Sequence, residues 1–236
     1  MPSYFLIPPS IKEFSDNKIL GSLTIGNFPS NIKKSNLSTT KPIDIYTAIY
    51  ILDGKQWRLI KVNKLLYNHF IEIERNELSI SDSKTAVVLI RENNDFPEIT
   101  NKLPKPYSLR VDNSIIAERA SYNFKYKNLS TSYQGEYPLE MMKLVNSNFL
   151  SFDTIKTDNC QKTIRNFLIL MNLLGDASRQ DFKTVHLFNP NSNKVIKELH
   201  AKENHITVNA LPEVENSITD NNTLFISCNN CTFIPL

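Results

Sequence analysis

Cys228 and Cys231, separated by two asparagines, form the sharpest chemical pattern in the chain. Two thiolates at that spacing bind zinc or make a redox pair, and each chemistry demands more than the pair. A structural zinc site needs four ligands. The only other cysteine is Cys160, so the set would have to be completed by His186, His200 or His205. A redox pair needs the motif at a helix N-terminus, where the thiol pKa falls. Here it lies between two β-rich runs, residues 223–228 and 231–236, and Asn229 with Asn230 suits a two-residue hairpin turn. Hairpin-flanking cysteines are the plainer expectation.

His200, Glu203 and His205 make a second constellation. The two imidazoles sit at the ends of a short connection with the carboxylate between them, and a tight turn would let all three share a metal. That reading is a metal-dependent enzyme using His200, Glu203 and His205, with His186 as a further candidate ligand and zinc or manganese as the ion. The spacing does not match the helical H-E-x-x-H of hydrolytic zinc sites, so histidines on a solvated turn are the simpler account. Nucleophilic catalysis has no foothold, because no G-x-S-x-G is present and no serine adjoins Gly135.

Residues 121–138 concentrate aromatic and basic side chains. Tyr122, Phe124 and Tyr126 alternate with Asn123, Lys125 and Lys127, as on a strand. Exposed rings there would stack bases while Arg119, Lys125 and Lys127 neutralised phosphate, which is the nucleic-acid-binding reading. Alternation instead sets the lysines on the face opposite the rings, the pattern of a half-buried strand with a wet side. The following stretch, 129–138, reads as a polar loop. Its Tyr133, Gln134, Glu136 and Tyr137 offer aromatic and amide groups for contact with a protein or glycan. The leading expectation is therefore a non-catalytic interaction module, without cofactor, whose partner is a protein or a larger complex.

Bulk properties restrict the field further. With 236 residues and 41% hydrophobic content the chain can bury a core. A formal net charge of +3 is too small to indicate nucleic acid. Only five glycines occur, with none of the close spacings that cradle phosphates, which excludes the common nucleotide-binding loops. No apolar run approaches the roughly 20 residues that span a bilayer, so no membrane association is expected. Three cysteines are an odd number for a secreted disulfide framework, which points to a reducing, cytoplasmic location. Heavy use of Asn, Lys, Ile and Ser fits an AT-rich bacterial or viral genome.

The elements that must hold these groups are mostly strands. Short apolar runs separated by Asn, Asp, Ser and Pro recur along the chain, and Asp53 with Gly54 marks a hairpin ahead of Trp57, the single tryptophan. The expected fold is mainly β: an antiparallel β-sandwich or jelly-roll-like architecture. One helix is expected at about 159–174, where Cys160, Ile164, Phe167, Leu168, Met171 and Leu174 recur at helical spacing between Asp158 and Gly175. A buried strand through 167–173 is the rival. Three prolines within 97–106 suggest a connection between a β-rich subdomain at 1–96 and another at 107–236, with one continuous domain as the alternative.

Overall fold

A computed structural model describes residues 3–12, 18–28, 44–106, 117–134, 137–138, 142, 148–153, 167–189, 194–211, 223–228 and 234–235. The fold is mainly β, built from several antiparallel sheets. Among the described residues there is no helix, and so none long and apolar enough to cross a membrane. Two compact units divide the chain: Met1–Met141 with Gly175–Ser178, and Met142–Leu174 with Arg179–Leu236.

The first unit holds a six-stranded sheet and a five-stranded sheet. The larger contains β1 (Ser3–Leu6), β4 (Ile45–Asp53), β5 (Gln56–Leu65), β7 (Ala86–Arg91), β8 (Ile99–Thr100) and β11 (Tyr137–Pro138), in the order β11-β1-β7-β4-β5-β8. Every residue of β7 is buried, which is why Ala86 to Ile90 read as an unbroken apolar run rather than an alternation. The β4–β5 hairpin pairs Asp53 with Gln56, so its turn residues are Gly54, at φ 61°, and Lys55. Trp57 is fully buried and donates its indole N–H to the Gly175 carbonyl at 2.9 Å.

The smaller sheet contains β2 (Ile11–Lys12), β3 (Lys18–Phe28), β6 (His69–Glu74), β9 (Ala117–Tyr126) and β10 (Leu129–Gln134). β3 is its spine, with β9 along one edge and β6 and β2 along the other, and β10 extends the sheet beyond β9. Gly21 in β3 is required by close approach. A Cβ there would stand 2.7 Å from the Pro9 carbonyl oxygen and 2.9 Å from that of Pro8. Arg75, directly after β6, is only 2% exposed. Its guanidinium donates to the carbonyls of Ile7, Pro8, Ser81 and Lys84 at 2.6–3.2 Å.

The Pro-rich 97–106 segment lies inside this unit rather than between units. Ile99 and Thr100 pair with Arg58 and Trp57. The hydroxyl of Tyr50 donates to the Pro97 carbonyl and that of Tyr4 to the Pro104 carbonyl, while Arg91 donates to the carbonyls of Asp95 and Lys105. Proline removes backbone donors, but the carbonyls remain and are bound by side chains.

The second unit is a sandwich. One sheet runs in the order β12 (Asn148–Asp153), β17 (Thr223–Cys228), β14 (Phe182–Asn189), β15 (Lys194–Lys202). The other runs β16 (His205–Ala210), β13 (Phe167–Asn172), β18 (Ile234–Pro235). Leu168 and Leu170 from the second sheet pack with Val185, Leu187, Leu199, Ala201, Leu224, Ile226 and Cys228 from the first. The helix expected over 159–174 is corrected here. Residues 167–172 are β13, paired on both sides, and 159–166 lie outside the described residues. Ile169 and Met171 are buried on one face of β13 and Leu168 and Leu170 on the other, so no polar alternation is left to mark the strand. The hairpin expected across Asn229 and Asn230 is corrected as well: β17 and β18 belong to different sheets.

Candidate functional site

The β9–β10 hairpin carries a group of exposed side chains, Leu129 and Tyr133 among them. Its turn is Lys127 and Asn128, since Tyr126 pairs with Leu129. Lys127 adopts φ 52°, a left-handed conformation that β-branched residues would resist, and its ammonium lies 5.2 Å from the centroid of the Tyr126 ring. Residues 129–134, expected as a loop, form the strand β10, because Leu-Ser-Thr-Ser-Tyr-Gln alternates in register with β9.

The hairpin has two unlike faces. On the inner one, Tyr122 is fully buried and its hydroxyl accepts from the Leu6 N–H. Phe124 is buried beside it and meets the Tyr133 ring edge-on at 6.1 Å between centroids. The outer face is a hydrogen-bonded polar lattice. Asn123 donates to the Thr24 hydroxyl at 2.8 Å and accepts from Ser132 at 2.7 Å. Lys125 binds Glu72 at 2.6 Å and stands 3.6 Å from Glu74. Lys125 and the Ser22 hydroxyl hold the Glu72 carboxyl below its usual pKa, while Glu72 holds the Lys125 ammonium above its own. A lysine neutralised twice over is poorly placed to meet phosphate.

β10 is an edge strand: among the described strands it pairs with β9 alone. Residues 129–133 are all exposed, so both faces of the strand meet solvent. Leu129 is 72% exposed and Tyr133 48%. Natural edges are commonly blunted by proline, charge or a bulge. Leu129–Gln134 has no proline or charged residue, and its pairing with β9 is regular.

Of the other residues singled out, Arg119 lies opposite Gly26 in β9, Gln134 ends β10, and Tyr137 lies opposite Tyr4 in β11; their side chains are not described. Glu136 lies outside the described residues.

The proposed metal ligands do not converge. Among the described residues, no three His, Cys, Asp or Glu side chains could hold a metal ion. His200 is exposed on β15, opposite Thr184. Glu203 is fully buried at the turn where the chain passes from one sheet to the other. Its carboxylate is occupied by Arg179 at 3.0 Å and Lys183 at 3.4 Å, with the Asp181 N–H donating at 3.4 Å. Asn204, at φ 58°, completes the turn by accepting from the Leu174 N–H and donating to the Arg179 carbonyl. His205 donates its Nδ1–H to the Glu203 carbonyl at 2.8 Å, and burial holds its pKa below the ordinary value. The connection thus forms a sheet-crossing turn whose buried carboxylate is ion-paired with two partly exposed cations. Arg179 and Lys183 carried no local signal, because charge partners across a turn are set by tertiary folding.

Cys228 is buried in the core and disulfide-bonded. With three cysteines in the chain its mate is Cys160 or Cys231, both outside the described residues. A thiol tied in a disulfide is not a zinc ligand, and the bond counts against the reducing location expected from the odd cysteine number.

These features define a two-unit antiparallel β protein in which, among the described residues, β10 forms a sheet edge carrying the exposed Leu129 and Tyr133. No protein-family model, curated protein or solved structure matches the chain.

Proposed function

We propose that the chain is a non-catalytic interaction module that captures a protein partner by strand addition at β10. The observation that carries this reading is the edge itself: an uncharged strand without proline, solvent-exposed from 129 to 133, with Leu129 and Tyr133 standing out from it. An incoming strand would bond the backbone edge that no described strand pairs, and alternate side chains would contact Leu129, Thr131 and Tyr133 on one face and Ser130 and Ser132 on the other. Main-chain bonds supply affinity in this mode and the exposed side chains supply selectivity. The consumed charges of Glu203 and Lys125 weigh against the metal-enzyme and nucleic-acid alternatives. Wide use of hydroxyl side chains along the strand fits a protein backbone as ligand better than a sugar ring, which favours a broad aromatic platform.

The test is site-specific photo-cross-linking. A benzophenone amino acid replaces Tyr133, and a control probe replaces Val195, which is equally exposed at 48% but lies in the second unit. The expected result is a discrete protein adduct from position 133 in the native cell and none from 195. Equal labelling from both positions, or none from 133, overturns the reading.

A further inference from the structure

Resting on that strand-addition reading, we infer that the partner at β10 is a second copy of this chain, paired antiparallel about a two-fold axis through Thr131. The sequence of the edge is self-complementary in this register. Leu129 falls opposite the second copy's Tyr133, Ser130 opposite its Ser132, and Thr131 opposite its own mate. Each pairing joins side chains that suit one another across antiparallel strands: an aliphatic with an aromatic, and hydroxyls with hydroxyls. Leu129 and Tyr133 lie on the same face of β10 as Thr131, so both apolar contacts form on one side of the new sheet and the serine pairs on the other. Leu129 at 72% exposure and Tyr133 at 48% would each cover the other's counterpart.

Charge permits this arrangement. No acidic or basic side chain lies between Leu129 and Gln134, so the symmetric pairing opposes no like charges within the strand. The nearest cation of the neighbouring strand on the serine face, Lys125, is already paired with Glu72. A two-fold contact is isologous, uses the same edge on both copies and closes, so the β10 edge is consumed on both copies. The result is a continuous sheet in which β10 gains a second neighbour.

Sedimentation velocity of the full chain from about 1 to about 300 µM reads the association, a range suited to the modest affinity of one strand pair. The wild type is expected to move from 27.1 kDa toward twice that mass with rising concentration. Thr131→Lys and Thr131→Glu each set like charges directly opposite across the axis and are expected to weaken the dimer at least about tenfold. Because Thr131 is exposed, both variants keep the wild-type circular dichroism and urea midpoint. An equimolar mixture of the two is expected to restore association, since lysine then faces glutamate. Association unchanged by either variant overturns the proposal, as does failure of the mixture to recover it. A monomeric wild type also overturns it. If the Tyr133 probe then captures a different protein, only the second copy is excluded; if it captures nothing, strand addition fails with it.

Discussion

Replacing Glu203 with glutamine separates a structural role from a metal-binding one. Glu203→Gln keeps the size and one acceptor of the side chain but removes the charge that faces Arg179 and Lys183. Breaking a fully buried ion pair costs about 3–5 kcal/mol. Here the partners are partly wet, at 38% side-chain exposure for Arg179 and 21% for Lys183, and each can rehydrate once released. Solvent screening therefore lowers the expected loss to about 2–3 kcal/mol. That corresponds to a drop of about 30- to 150-fold in the opening equilibrium of the second unit. Amide hydrogen exchange read by mass spectrometry isolates the effect. Peptides covering β14–β16 should lose protection by that factor, while peptides covering β3 and β9 serve as the internal control. A loss below about threefold would mean that the ion pair contributes little to the turn. Zinc that binds the wild type stoichiometrically, raises its protection, and is lost on Glu203→Gln would refute the reasoning outright.

Arg75→Met should destabilise the first unit by about 3–6 kcal/mol, because four carbonyls lose a charged donor in a buried place; the Trp57 fluorescence transition in urea reports it, and a shift under 1 kcal/mol would contradict it. His205 makes the second unit sensitive to acid. Burial depresses its folded pKa, with the Lys202 charge adding to the effect and the Glu203 carbonyl opposing it. The unfolded chain therefore binds the proton first as pH falls. The stabilisation is complete above the ordinary value of about 6.5 and is lost as pH drops through the folded value. Protection of the β16 amides should decline as pH falls below about 6.5, and His205→Gln should flatten that decline; an unchanged slope in the variant would assign the effect elsewhere.

Much of the hairpin site was legible in residues alone. Tyr122, Phe124 and Tyr126 against Asn123, Lys125 and Lys127 predict one buried and one wet face, and the two faces are so divided, with Tyr122 and Phe124 buried. The continuation was not read, because Leu129, Thr131 and Tyr133 alternate with serines rather than with charges, and a run of hydroxyl side chains is equally at home in a loop. At β13 periodicity misled for the opposite reason: both faces are buried, so an apolar run carried no signature of period two.

The chain's local patterns determined that strands dominate, that Asp53 and Gly54 lie at a hairpin, and that the common glycine-rich phosphate motifs are missing from the sequence, because each depends on neighbours a few residues apart. Tertiary structure alone decided that Glu203 faces Arg179 and Lys183, that Cys228 is oxidised, and that β10 lies at an edge among the described strands. Those outcomes depend on groups brought together from distant positions: Arg179 and Lys183 lie 24 and 20 residues before Glu203. A strand's place in its sheet is likewise set by which partners pair first along both of its edges, and its own side chains cannot state that.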